Sequence, residues 1–191
     1  MIQPVGTSSR LPRVLESGLI MSGRQIDPTV FAIVGGTPAM LRTLLAQLPP
    51  DARDAELDDG WSARHCLAHV LDTEDVIVGR MRRIVQEERP FIRSIDAAAR
   101  LIEGGYLART TESLLDEFAL RRAEDIAWLR ALPPEALDRV GDHDEAGEIS
   151  VADIAHQWAY HDLMHLKQAE SIIQLHLEQG MGRTRLFYFD V

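Results

Sequence analysis

The sequence of 191 residues is 46% hydrophobic and 26% charged, which is typical of a globular protein with a sizeable core. Thirty Asp and Glu residues outnumber 20 Lys and Arg residues, so the formal net charge is −10. This charge repels the phosphates of nucleic acids and of anionic membranes, and it argues against both as partners. Cys66 is the single cysteine, which excludes an intrachain disulfide.

The N-terminal segment 1–26 mixes Pro, Gly and polar residues, and it predicts an arm or a short helix outside the main domain. We find in it no apolar run long enough for a signal peptide or a membrane span. Together with the single cysteine, this segment predicts a soluble protein of the cytoplasm, where thiols stay reduced.

Four long helices are predicted between residues 27 and 178. The first begins at Asp27-Pro28, because Asp can accept from the free amides of a helix start and Pro fits its first turn. It ends before Pro49-Pro50. Gly35-Gly36 and Pro38 weaken the middle of this helix and are expected to bend or break it.

The other three helices follow from caps and apolar spacing. The second begins at Ser62 and ends before Pro90. Its inward-facing stripe is predicted to contain Cys66, Val70, Thr73, Ile77, Met81 and Ile84. The third covers about 111–132. The fourth begins at a capping box formed by Ser150 and Asp153, and runs to about residue 177.

The segments between the long helices show no convincing strand pattern. They predict a short helix near 94–103 and a loop over 141–147. Four long helices with modest connections favour an all-α fold, a four-helix bundle over 27–178 with short extra helices in its loops. Residues 179–191 remain as a tail that docks on the body or on a partner subunit.

Three of the seven His residues fall on helix faces that are expected to be turned inward. His161 and His165 lie four residues apart on the apolar stripe of the fourth helix, so both imidazoles can reach one ion. His69, at the edge of the stripe of the second helix, can supply a third nitrogen. Three neutral imidazoles suit Zn²⁺, Ni²⁺ or Fe²⁺, and leave a coordination position open for water, hydroxide or a thiolate.

Other interpretations of the histidines stay open at this point. A His-x-x-x-His pair is a weak signal alone, and a buried His is more often hydrogen-bonded than metal-bound. His65 and His69 form a second such pair, so spacing does not decide which of them points inward. We interpret His65 as a surface residue or a neighbour of the ligands. His143, His156 and His176 are expected outside the site.

Five further residues are candidates for supporting roles. Asp72 and Asp162 are candidate acceptors that orient the ligand imidazoles, although exposed helix carboxylates are the more common case. Trp61 and Trp158 are expected in the core or in a pocket wall. Cys66 is expected to be a small buried hydrophobic residue rather than a nucleophile.

Trp61-Ser62 is followed by His69-Val-x-Asp72-x-Glu74, and about ninety residues later by His161-Asp162-x-x-His165-Leu-x-Gln168. This order and spacing, over residues 28–178, resembles the DinB-like (YfiT-like) superfamily. The resemblance implies a four-helix bundle, often a homodimer, with a divalent metal site whose ligands are His69, His161 and His165. His65 departs from the pattern, because relatives commonly carry an acidic or polar residue there.

Relatives in this superfamily carry out transfer and isomerisation with low-molecular-weight thiols, or are proposed to hydrolyse substrates with a metal. The resemblance therefore implies a metal-dependent enzyme with a small-molecule substrate, and we expect a transferase that uses a thiol. The alternatives are a metal-dependent hydrolase and a non-catalytic metal-binding stress-response protein. Arg80, Arg122 and Tyr160 are the candidates to line a substrate cleft, which the non-catalytic protein would lack.

Overall fold

Within residues 23–46, 48–56 and 60–189, which the computed structural model describes, the chain forms six α-helices and three short strands. The helices are α1 (Pro28–Leu45), α2 (Pro50–Asp54), α3 (Ala63–Gln86), α4 (Ala97–Glu103), α5 (Thr111–Arg130) and α6 (Val151–Glu178). Short 3₁₀ helices lie at Tyr106–Ala108, Pro134–Asp138 and Gly182–Phe187. The long helices α1, α3, α5 and α6 pack on one another, which confirms the predicted bundle.

The predicted side-chain caps are present at the starts of three long helices. The Asp27 carboxylate accepts from the amide of Thr29 at the start of α1. The Ser62 hydroxyl accepts from the amide of His65 at the start of α3. Ser150 caps α6 in the same way, and the Asp153 carboxylate accepts from the Ser150 amide to complete the box. These bonds satisfy amides that have no partner inside the helix.

The first helix continues through the residues that were expected to bend or break it. Pro38 lies inside α1 and is buried, and the predicted break is wrong. Pro38 has no amide proton, so the carbonyl of Val34, four residues earlier, has no donor within the helix. The guanidinium of Arg122 on α5 donates to that carbonyl at 2.7 Å. A neighbouring helix thus replaces the missing bond.

A small sheet, which the sequence did not predict, lies against one end of the bundle. Strand β2 (Val140–His143) pairs antiparallel with β3 (Gly147–Ser150) and parallel with β1 (Phe91–Ile92). The predicted loop over 141–147 is therefore a hairpin, and Gly147 supplies a positive φ of 74° at its turn. A Cβ on Gly141 would lie 2.9 Å from the Pro90 carbonyl oxygen. This close approach requires glycine.

Two apolar clusters form the core, and a polar layer separates them along each long helix. All six residues of the stripe predicted for α3 are buried. One cluster contains Leu71, Phe118 and Ala169, and the other contains Ile77 and Trp158, among others. Between these two apolar clusters, the buried residues of α3, α5 and α6 include charged side chains and imidazoles. Buried polar groups of this kind need partners, and their partners define the candidate site.

Both ends of the chain lie partly outside the described residues. The predicted arm 1–26 lies outside the described residues except for 23–26, so the division into arm, bundle and tail stays a prediction. The tail forms the 3₁₀ helix Gly182–Phe187, and Arg185 pairs with Glu178 at the end of α6. Among the described helices, α1 alone is long and apolar enough to cross a membrane, and here it packs against α5 and α6.

Candidate metal centre

Helices α3 and α6 bring His69, His161 and His165 together inside the bundle. The ring centroids of His165 lie 4.5 Å from those of both His69 and His161. The Nε2 atoms of His69 and His161 are 3.1 Å apart, and one nitrogen from each ring lies within 4.8 Å of the others. The structure therefore brings together the three imidazoles that were predicted from the sequence to meet.

The distances fit a shared ion. Two nitrogens bound at about 2.0–2.1 Å to a tetrahedral ion lie about 3.3 Å from each other, close to the observed separation of the two Nε2 atoms. Gln168 accepts from Nδ1 of His165 at 3.1 Å, which fixes the proton on Nδ1 and leaves the Nε2 lone pair free. Within the described part of the chain, Nδ1 of His69 is buried without a hydrogen-bond partner. The polar contact of this ring is therefore on its other side, between its Nε2 and Nε2 of His161.

Burial keeps the three imidazoles neutral at physiological pH. It lowers the pKa of His69 to about 4, with a further contribution from His165. It lowers the pKa of His161 to about 3, and His165, His69 and Arg122 add to this effect. Burial also lowers the pKa of His165, although Gln168 opposes the change. The neutral imidazole is the form that binds a metal.

We expect the metal-free protein to lose stability between pH 6.5 and pH 5. Because the folded pKa values of the imidazoles lie below 6.5, the unfolded chain binds protons first as the pH falls. Each pH unit below 6.5 costs about 1.4 kcal/mol for a histidine that stays neutral in the fold, so the imidazoles should together lower the free energy of unfolding by roughly 2–4 kcal/mol. Urea unfolding across this range measures it.

The His161→Asn variant should show a shallower loss of stability over the same pH range, because one of the imidazoles with a lowered pKa is gone. His156→Asn is the matched control, since His156 is exposed on the same helix. Identical slopes for the wild type and His161→Asn would contradict the assignment of the pH dependence to the buried imidazoles.

Trp61 forms one wall of the histidine cluster. A position in a pocket wall is one of the two that were predicted for it. Its ring stacks on His165 with centroids 5.7 Å apart, and meets His69 edge-on at 5.1 Å. Trp61 immediately precedes Ser62, the cap of α3, so the start of this helix places the indole beside the site. Trp158, by contrast, is fully buried in the core.

Nickel binding is expected to quench the fluorescence of Trp61, because an open-shell ion at the imidazoles would lie next to the indole. The Trp61→Phe variant should lose most of this quenching, although Trp128 and Trp158 still emit. Zinc has a filled d shell and serves as the control ion that binds without quenching. Equal quenching by nickel in the wild type and in Trp61→Phe would contradict binding at this site.

Three of the four remaining histidines, His65, His143 and His156, have other partners. His65 folds back on the start of α3, where its Nδ1 lies 2.8 Å from the Ser62 hydroxyl. His143 is at the end of β2 rather than in a loop, and its Nδ1 accepts from two amides of the hairpin. His156 is exposed and donates to the Ala152 carbonyl. Structure therefore distinguishes His69 from His65, which spacing could not do.

The two predicted carboxylate supports pair with arginines instead of imidazoles. Asp72 accepts two hydrogen bonds from Arg100, and Asp162 accepts two from Arg122. The expectation that these carboxylates orient the ligands is therefore corrected. A side chain that does hydrogen-bond to one of the clustered imidazoles is that of Gln168, which contacts His165. Its spacing of three residues from His165 on one helix was the available signal.

The residues expected to line a cleft lie in different environments. Arg80 donates to the carbonyl of Arg93, and Tyr160 is 68% exposed. Arg122 is only 1% exposed, and its guanidinium lies over the rings of Phe118 and Trp158 at 4.6 and 4.7 Å. The expectation that Arg122 lines an open cleft is wrong, because this side chain is part of the core.

Glu74 is the second carboxylate partner of Arg122 in this buried layer. Its Oε1 accepts from Nε of Arg122 at 2.8 Å, and its Oε2 accepts from the indole of Trp158 at 3.1 Å. Burial raises the pKa of Glu74 to about 7, while the charge of Arg122 opposes this change. Sequence reasoning noted Glu74 only as part of a motif and missed its partners, which come from two other helices.

Comparison with known proteins agrees with the fold. The model of the DinB superfamily matches residues 35–169, a range that contains all three clustered histidines. A protein of Oceanobacillus iheyensis that is named as a proposed metal-dependent hydrolase is 25% identical over 138 residues. The match covers 71% of this chain and 78% of that protein.

The chain also resembles the solved structure of YfiT from Bacillus subtilis, with a TM-score of 0.72 and 18% identity. That protein is described as a probable metal-dependent hydrolase with an unusual four-helix-bundle topology. The similarity covers 82% of this chain and 93% of YfiT, and at this identity it shows the fold. Because the family model spans more than half of the sequence, the chain belongs to the DinB superfamily.

Proposed function

We propose that His69, His161 and His165 bind one divalent transition-metal ion, and that the protein is a metal-dependent enzyme acting on a small molecule. The observation that carries this proposal is the convergence of three neutral imidazoles from two helices, those of His69 and His165 buried and that of His161 half-buried. Nitrogen donors without carboxylates favour zinc, nickel or iron over magnesium or calcium. The relatives named above as metal-dependent hydrolases give independent support.

When bound, such an ion lowers the pKa of a coordinated thiol or water, and so supplies a nucleophile near neutral pH. The residues of this chain hold and shield the site. Gln168 orients the His165 ring through its Nδ1 proton. Trp61 covers one side of the imidazoles and limits the access of water from that side. Three protein ligands leave a coordination position for an exogenous donor.

We favour transfer of a low-molecular-weight thiol to an electrophile as the reaction, on the resemblance to thiol-dependent members of the superfamily. Hydrolysis is the second candidate, and the names of the relatives from Oceanobacillus iheyensis and Bacillus subtilis favour it. A non-catalytic metal-binding protein of the stress response is the third. Location in the cytoplasm and assembly as a homodimer belong to the same proposal.

Elemental analysis of protein purified without a His-tag or a nickel column tests the metal first. We expect about one zinc, nickel or iron ion per chain, and His161→Ala should lack it. The loaded protein is then assayed with small thiols plus an alkylating electrophile, and separately with ester and amide substrates.

Turnover that requires the thiol supports the transferase, and thiol-independent turnover supports the hydrolase. Stoichiometric metal without turnover in either assay supports the non-catalytic protein. If neither the wild type nor His161→Ala binds metal, the whole proposal is overturned.

A further inference from the structure

One buried arginine connects all four long helices of the bundle. Arg122 on α5 donates through Nε to Glu74 on α3 at 2.8 Å. Its Nη1 and Nη2 atoms donate to the Asp162 carboxylate on α6, and Nη1 also donates to the Val34 carbonyl on α1 at 2.7 Å. A planar guanidinium has its donors in a fixed geometry, so these bonds constrain the relative positions of the helices.

The acceptor on α1 exists because of Pro38. Within a regular helix the Val34 carbonyl would accept from the amide of residue 38, and proline has no such proton. Arg122 supplies the missing donor. The contact between α1 and α5 is therefore a specific hydrogen bond and not only apolar packing.

The carboxylates of this cluster come from the two helices that carry the imidazoles. Asp162 directly follows His161, and Glu74 lies five residues after His69. With a rise of about 1.5 Å per residue, Asp162 is about 1.5 Å along α6 from His161, and Glu74 is about 7.5 Å along α3 from His69. A shift of α3 along α6 that separated the imidazoles would also break the bonds of Arg122.

We propose that Arg122 is a positioning residue of the metal centre, which fixes α3 against α6 through Glu74 and Asp162 so that His69 meets His161 and His165. This inference rests on the proposed metal site. Ligand side chains must be held within about 0.5 Å of their productive geometry. A buried ion-pair cluster with one acceptable arrangement supplies this constraint, whereas apolar side chains can slide past one another.

Cobalt(II) is the probe for the test, because its visible absorption reports coordination geometry independently of activity. In Arg122→Met and in Asp162→Asn we expect an altered cobalt spectrum and a 10–100-fold loss of cobalt affinity, as is roughly typical of changes around ligands. Asp162→Asn keeps the shape of the side chain, and it provides the test if Arg122→Met does not fold. Circular dichroism establishes that each variant is folded.

Leu129→Ala is the matched control, because Leu129 is a buried apolar residue of α5, seven residues after Arg122, whose truncation destabilises the core without removing a member of the ion-pair cluster. It should lower the melting temperature and leave the cobalt spectrum and affinity unchanged. Folded Arg122→Met or Asp162→Asn with a wild-type spectrum and affinity would overturn the positioning role. A wild type that does not bind cobalt would instead overturn the proposed metal site.

Pro38→Ala separates positioning from stability. It gives the Val34 carbonyl an amide donor from its own helix, so it should raise the melting temperature of Arg122→Met. We expect the cobalt spectrum of this double variant to stay altered, because Glu74 and Asp162 remain without the guanidinium. Recovery of the wild-type spectrum together with stability would show that Arg122 acts on stability alone.

Discussion

Replacing His161 with Ala is expected to lower the affinity for zinc by more than about 100-fold. Loss of a side chain that hydrogen-bonds to a metal ligand lowers metal affinity by up to about 100-fold, and loss of a ligand itself should lower it further. The variant removes one of three nitrogens at the cluster, and the Nε2 atom of His69 loses its neighbour at 3.1 Å. Competition with a chromophoric chelator measures the dissociation constant. His69→Ala and His165→Ala should behave in the same way.

His156→Ala is the control for nonspecific effects of removing an imidazole from α6. Its side chain is exposed, donates to the Ala152 carbonyl and accepts from the amide of Asp27, so it takes no part in the cluster. Zinc affinity in this variant should equal that of the wild type. A loss of zinc in His156→Ala comparable to that in His161→Ala would argue against a site at the three clustered imidazoles.

Arg122→Met is expected to lower the free energy of unfolding by about 3–5 kcal/mol, the range for removing one partner of a buried ion pair. The change leaves the carboxylates of Glu74 and Asp162 without their cation and the Val34 carbonyl without its donor. Glu74, whose pKa burial already raises, becomes protonated more readily. Urea unfolding of the metal-free protein gives the difference.

Arg82→Met provides a close comparison at the surface. Arg82 also pairs with a carboxylate, that of Asp125 at 2.8 Å, and it also lies over an indole, that of Trp128 at 4.5 Å. Its side chain is 39% exposed, so solvent screens the pair and the cost should not exceed about 1 kcal/mol. Similar losses in the two variants would mean that burial is not what makes Arg122 important.

The sequence was sufficient to predict the long helices, because caps and apolar spacing are local signals. Ser62 and Ser150 mark the starts of α3 and α6 through bonds within one turn. The continuity of α1 through Pro38 could not be predicted from local sequence, since the donor that compensates for Pro38 comes from Arg122, far along the chain. The strands were missed because β1 has two residues and depends on pairing with β2.

At the candidate site, too, features set within one helix could be predicted, whereas contacts between residues far apart in the sequence could not. Spacing placed His161 and His165 on one face, but it left His65 and His69 equivalent. The cap decides between them: His65 is the third residue of α3 and its ring turns back to Ser62. A pattern of apolar and charged residues on one helix does not reveal which distant side chain a carboxylate meets. The partner of Asp162 therefore needed the structure.

Pro38 has a consequence for how the bundle assembles. The main-chain ladder of α1 contains a gap at the Val34 carbonyl, and a side chain of α5 closes it. An isolated peptide of residues 28–45 lacks that donor and would fray on either side of the gap. Helix formation in this segment is thereby tied to docking, so the first helix and the rest of the domain should order in one cooperative step rather than independently.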